Sequence, residues 1–255
     1  MTAFFAVLLG LLGLAVGSFL NVCIYRLPRR ESLNWPASHC PSCSRPLAWY
    51  ENIPVISWIV LRGRCRTCRE AISPIYPVVE IITAAVFVAG YGIYDLTPLV
   101  AARLLFACAM IVLFAIDFRH YILPNVITLP GIAVGFVLSV FLPPGWQASL
   151  IGLLAGGGLL FLIAETYYRL RGIEGLGMGD VKMLAMIGAF LGWKLMLVTL
   201  VLASFAGSFV GIGLMVGRRG DMKAALPFGT FLAVGALVAA VVGDPLLNWY
   251  LGLYE

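Results

Sequence analysis

The feature that most constrains this chain is a succession of apolar runs, separated by short polar stretches. Each run approaches the ~20 residues a helix needs to cross a ~30 Å hydrocarbon layer. Inside lipid a backbone has to satisfy its own hydrogen bonds, and runs of this kind do so as helices. Eight spans are expected, at residues 4–24, 77–94, 98–116, 126–142, 146–164, 181–191, 194–216 and 226–242. The sixth falls short of the usual length, so it is tilted, half-inserted or extended by its neighbours. A chain that is 62% hydrophobic and 11% charged carries too much apolar surface for one water-soluble core. The first run is too long for a signal peptide and lacks both a basic leader and a small-residue cleavage pattern, so it is expected to be retained.

Basic residues set the expected orientation, because short loops rich in Lys and Arg stay in the cytoplasm. Eight of the seventeen lie between residues 25 and 76; Arg119, Arg169, Arg171, Lys182, Arg218, Arg219 and Lys223 fall in later loops on the same side. The alternate connections hold none, with Arg103 and Lys194 just inside adjacent spans. Eight crossings with both termini outside follow. The net charge of +5 is explained by this asymmetry and by anionic lipid, so it does not point to nucleic acid.

Only one connection is long enough to be a domain, residues 25–76, with six prolines and four of the six cysteines. The chain therefore divides into a first membrane helix (1–24), a cytoplasmic metal-binding segment (25–76) and a membrane core (77–255). Cys40, Cys43, Cys65 and Cys68 form two C-x-x-C pairs. Four thiolates on such knuckles close a tetrahedral shell around zinc with no place for a reacting water, so the role is structural. Iron is the leading competitor, and two disulfides or redox-active thiols are disfavoured in a reducing compartment. Cys23 and Cys108 behave as small hydrophobes within spans. The glycines at 152, 156, 157 and 158 are expected to let helices approach closely.

Ionisable groups at the edge of a span are functional candidates by default. Asp117 ends the third span and Asp180 begins the sixth, in Gly177-Met178-Gly179-Asp180-Val181-Lys182. Alternation of the spans brings both to the same face at the same depth. Two close carboxylates do not both ionise comfortably, so one keeps a proton and acts as acid while the other activates water against a peptide carbonyl. The competing reading pairs Asp117 with Arg119 or His120, and Asp180 with Lys182, as ion pairs that anchor helix ends. Gly172, Gly175, Gly177 and Gly179 favour the first reading, since they expose backbone amides and leave room for an extended peptide.

Taken in order, these pieces resemble the bacterial type IV prepilin peptidase family of GxGD aspartyl proteases. The resemblance covers nearly the whole chain: Phe19-Leu20-Asn21-Val22, Tyr25-Arg26-Leu27-Pro28, the paired cysteines, Asn52-Ile53-Pro54, Ser57, Leu61-Arg62-Gly63, Tyr76-Pro77 with Glu80, the Asp117 segment through Pro124-Asn125, Gly177 to Lys182, and Pro227-Phe228-Gly229. It implies cleavage of the basic leader of prepilins and pseudopilins at the cytoplasmic face of the inner membrane. Asp117 and Asp180 would be catalytic, and Gly177, Gly179, Lys182, Pro124 and Asn125 would position substrate. Members with the cysteine loop also methylate the new amino terminus using S-adenosylmethionine. Glu80 is the candidate to accept the proton of that amine, whose pKa is near ~7.7–8.0, or else it balances the arginine-rich loop. Thr230 departs from the family, which often repeats proline there, as do Ala84 and Ala85, where glycine is common. Two other classes compete: a transporter or channel, which would place charged or broken segments at mid-membrane, and a zinc-dependent scaffold for pilus assembly in which the aspartates are inert.

Overall fold

The computed structural model describes residues 2–172, 175–217 and 226–252. Arg218, Arg219 and Lys223, assigned above to a cytoplasmic loop, lie outside them. The described residues contain helices and no strands: α1 (Thr2–Arg26), α2 (Ile56–Val60), α3 (Ile75–Tyr94), α4 (Pro98–His120), α5 (Asn125–Phe141), α6 (Trp146–Arg171), α7 (Met178–Gly217) and α8 (Phe228–Leu251). Six of these helices are long and apolar enough to cross a membrane, and α5 is a shorter apolar helix. The chain is a multi-pass membrane protein.

Helix α7 is two helices, broken where Gly192 adopts φ 78°, ψ 172°. Contacts with α8 show that the chain reverses there. Gly243, far along α8, packs on Leu195; Gly235 lies against Thr199 and Ala203; Gly211 meets Leu226, just ahead of α8. The second half of α7 therefore runs back antiparallel to α8. The first half holds residues 181–191, the short sixth span, extended at its start to Met178. At 1.5 Å per residue it is only roughly 21 Å long. Every residue from Asp180 to Gly192 except Lys182 is buried, so protein rather than lipid surrounds it and the usual length requirement is relaxed. With α7 resolved into its halves, eight apolar segments match the eight expected. Helix α6 runs well past the expected residue 164, because hydropathy ends at Glu165 whereas the helix continues through an Arg169–Glu165 ion pair one turn apart.

The chain forms two compact units, Met1–Val112 and Leu113–Glu255, with α4 running from one into the other. In the first, α1 crosses α3 at glycines. A Cβ at Gly13 would lie 2.6 Å from the Ala84 Cα, and one at Gly17 would lie 2.7 Å from the Glu80 Cα. In the second unit, α5, α6 and α8 all pack on α7. A Cβ at Gly152 would lie 2.6 Å from the Gly188 carbonyl oxygen, and one at Gly156 2.8 Å from that of Leu184. Ser149 donates to the Ala189 carbonyl at 2.7 Å. The expected role in close helix packing thus belongs to Gly152 and Gly156, while Gly158 has nothing within 4 Å of an added Cβ.

This geometry predicts a sharp contrast. Gly152→Val forces the α6 and α7 backbones apart and should cost about 1–3 kcal/mol or more, read as a lowered melting temperature of the detergent-solubilised protein. Gly158→Ala should leave it unchanged or raise it.

Candidate active site and metal centre

Asp117 lies in the last turn of α4 and is buried. Its Oδ2 accepts two hydrogen bonds from Thr230, from the backbone N–H at 2.8 Å and from the hydroxyl at 3.2 Å. Thr230 is in the first turn of α8, where backbone N–H groups have no partner within their own helix. The Asp117 carboxylate therefore caps α8 from a different helix. Its approach requires Gly229, since a Cβ there would lie 2.9 Å from Asp117 Oδ2 and 2.8 Å from Leu123 Cδ1.

Asp180 is also buried and sits in the first turn of α7, its N–H bonded to the Gly177 carbonyl at 3.0 Å. A Cβ at Gly177 would lie 3.3 Å from Asp180 Oδ2, and one at Gly179 would lie 2.9 Å from Leu123 Cβ. Leu123 thus touches both the glycine beside Asp180 and the glycine beside Asp117. Asp180 stands in the first turn of its own helix and Asp117, at the end of α4, caps the first turn of α8, so each meets a helix N-terminus, which favours negative charge. Among the described residues, no ion pair joins Asp117 to Arg119 or His120, or Asp180 to Lys182. Lys182 instead donates to the Asn125 side-chain carbonyl at 2.9 Å, tying the starts of α7 and α5 together. Pro124 occupies the N-cap position of α5 with extended backbone. Gly175 and Gly177 are exposed.

Sequence reasoning passed over Leu123 and treated Thr230 only as a departure from a pattern. The available signal was Pro227-Phe228-Gly229-Thr230, in which the proline marks a helix start and the threonine puts a free N–H and a hydroxyl on its first turn.

In the first unit the sulfurs of Cys40, Cys43, Cys65 and Cys68 all lie within 4.8 Å of one another. The Cys40 and Cys68 sulfurs are 3.7 Å apart, against roughly 3.8 Å for the edge of a tetrahedron with ~2.3 Å metal–sulfur bonds. The four are free thiols placed to hold a metal ion. Each pair sits on the same knuckle. The Cys40 N–H bonds the Arg45 carbonyl and the Ser44 N–H bonds the Cys40 carbonyl; Cys65, Glu70 and Arg69 repeat both bonds. Ser44 and Arg69 both have positive φ, and the bridges His39–Pro46 and Arg64–Ala71 close the two loops. The two loops thus repeat one pattern of backbone bonds although, beyond the cysteines, their residue types differ. The backbone N–H groups of Cys68 and Thr67 aim at the Cys65 sulfur and bring its thiol down to about 6. Glu51 sits in the same loop, held below the usual carboxylate range by hydrogen bonds from Arg45 at 2.7 and 2.8 Å and from the Ala48 N–H.

With that geometry in view, comparison with known proteins is decisive. The profile described as "Bacterial Peptidase A24 N-terminal domain" matches residues 11–94, and the "Type IV leader peptidase family" profile matches residues 104–212. A prepilin leader peptidase/N-methyltransferase of Aeromonas hydrophila is 36% identical, with 94% of this chain and 92% of the relative covered. The chain belongs to the type IV leader peptidase family. Proteins with the same description from Pseudomonas aeruginosa (33% identical; 94% and 91% covered) and Myxococcus xanthus (41%; 85% and 65%) are also similar. No solved structure matches. Two of the segments that carry the resemblance fall at helix starts: Gly177 to Asp180 opens α7, and Pro227 to Gly229 opens α8.

The cysteine geometry predicts one bound metal ion per chain in the purified protein. Cys43→Ser should lower the metal measured by mass spectrometry to well below half an equivalent. Metal binding displaces thiol protons, so retention by the unaltered protein should fall as pH drops from roughly 7 toward 5.

Proposed function

We propose that this chain is a bifunctional prepilin processing enzyme of the bacterial inner membrane. It removes the basic leader of prepilins and pseudopilins at the cytoplasmic face and methylates the amino terminus so released. The observation that carries the first activity is the pair of buried carboxylates at the starts of α7 and α8, with glycines clearing the space beside each.

Asp117 and Asp180 are the catalytic pair on this reading, sharing one proton. The ionised member takes a proton from water as the water oxygen attacks the scissile carbonyl. The protonated member donates to the carbonyl oxygen and, as the C–N bond breaks, a proton passes to the leaving nitrogen. The Thr230 hydrogen bonds hold one Asp117 oxygen, so the other is left to face the water. Gly177 is exposed and leaves backbone open for an extended peptide, and Gly179 positions it indirectly by making room for Leu123 beside Asp180. Lys182, Asn125 and Pro124 set the starts of α7 and α5 beside it.

The four thiolates fit structural zinc, which organises the segment 25–76 where an apolar core is too small to do so. The methyl donor, S-adenosylmethionine, supplies an electrophilic methyl group on a sulfonium. The segment offers a cavity of about 330 Å³, within the usual range for small-molecule sites, and the buried Arg45 Nε at its wall lacks a hydrogen-bond partner among the described residues. The basic residues clustered in residues 25–76 support a cytoplasmic location for this segment, and residues 77–255 then form the protease core.

Substitution at the acids tests the reading. Asp117→Asn or Asp180→Asn should each lower leader cleavage in membranes by about 10³-fold or more, since the two act as a unit, with protein level unchanged. Substantial residual cleavage by either variant would favour the inert scaffold instead. Thr230→Ala keeps the main-chain bond and should cost only about tenfold, the worth of one hydrogen bond to a charged group.

A further inference from the structure

The cavity of the first unit is walled by Asn21 and Tyr25 of α1, Tyr76 and Glu80 of α3, and Val55 and Trp58 between them. Its cations are already engaged. Arg26 donates to the carbonyls of Ser32, Leu33 and Pro36; Arg45 is spent on Glu51; Arg66 donates to the Tyr50 hydroxyl at 2.7 Å. Glu51 is matched by Arg45. Glu80 is different: only 7% exposed, it forms no ion pair among the described residues. A carboxylate kept in such a place without a cation is costly, unless a ligand brings the cation.

The backbone opposite Glu80 is strained for its benefit. Val55 has φ 60° and ψ −49°, and the Ile56 N–H reaches back to the Pro54 carbonyl at 2.6 Å. That is a γ-turn of the rare positive-φ form, with a β-branched residue at its centre. The turn leaves the Val55 N–H free, and it donates to Glu80 Oε2 at 2.8 Å. Strain of this kind persists where the surroundings over-determine it, and it clusters at functional sites.

We propose that this cavity is the subsite for the free α-amino group of the cleaved polypeptide, with Glu80 as the carboxylate that holds the ammonium and takes its proton, fixed in place by the Val55 turn. The proposal rests on the methyltransferase reading. The transfer balances simply: the ammonium gives its proton to Glu80, the nitrogen lone pair forms the N–C bond, and the C–S bond of the sulfonium donor breaks with its electrons left on sulfur. Val55, a positioning residue, holds Glu80 Oε2, and the side chains of Ser18 and Asn21 hydrogen-bond the same carboxyl group, so that it is fixed where it meets the amine.

The test uses the purified full-length protein with its metal, and a leaderless pilin peptide labelled at its carboxyl end, with its amino terminus either free or acetylated. The unaltered protein should bind the free-amine peptide about tenfold or more tightly than the acetylated one, the worth of a charge-assisted contact. In Glu80→Gln that discrimination should vanish and methylation fall about 100-fold; Glu80→Asp should restore part of both. Leader cleavage and metal content of the same preparations report folding. Equal binding of the two peptides by the unaltered protein, or discrimination retained by Glu80→Gln, overturns the proposal alone. An unaltered protein that cleaves but never methylates overturns the methyltransferase reading, and the proposal with it.

Discussion

A carboxylate at the rim of a bilayer has to be met by donors, and here helix starts supply them. Asp117 ends one helix and is capped by the first turn of another, through the N–H and hydroxyl of Thr230. Asp180 stands in the first turn of its own helix. Neither arrangement survives a Cβ at Gly229 or tolerates one easily at Gly177, and Leu123 wedges between Gly229 and Gly179. The two acids are therefore located by backbone contacts rather than by mobile side chains. That in turn depends on the first half of α7 being packed against α5 and α6, which the glycines at 131, 135, 152, 156 and 188 permit.

The cysteine segment is organised on another principle. It has two short 3-10 turns, a five-residue helix and no sheet beyond two isolated bridges. Two backbone-equivalent knuckles bring four sulfurs together, and N–H groups pointed at Cys65 stabilise thiolate before any ion binds. A segment with so little apolar core relies on the face it packs on, α1 and the start of α3, and its four clustered sulfurs are placed to add a metal ion's cross-link.

Much of this was legible in the sequence. Hydropathy marked eight apolar segments, and the break at residues 192–193 located the reversal within α7 because glycine alone takes φ 78° without strain. Charge asymmetry and span alternation put Asp117 and Asp180 at one end, and C-x-x-C spacing found the four sulfurs. What stayed hidden depends on tertiary contact. The partner of Asp117 is 113 residues away, and no local pattern couples them. The Val55 turn runs against its own residue's preference, so propensity points the wrong way. The doubled knuckle repeats in backbone bonds and not in residue types.

The two chemistries make different demands on acids. Hydrolysis of a peptide needs an acid and a base at once, and two carboxylates that share one proton are able to supply both, which is the role proposed for Asp117 and Asp180. Methylation needs one acceptor and a nucleophile. The nitrogen of an intact peptide bond is not nucleophilic, because its lone pair is delocalised into the carbonyl. Only after cleavage does it become an amine, with a pKa near ~7.7–8.0 and hence a proton to lose. The order of the two reactions is thus imposed by the substrate's own chemistry, and on the proposed reading Glu80 meets its cation only once cleavage has made one.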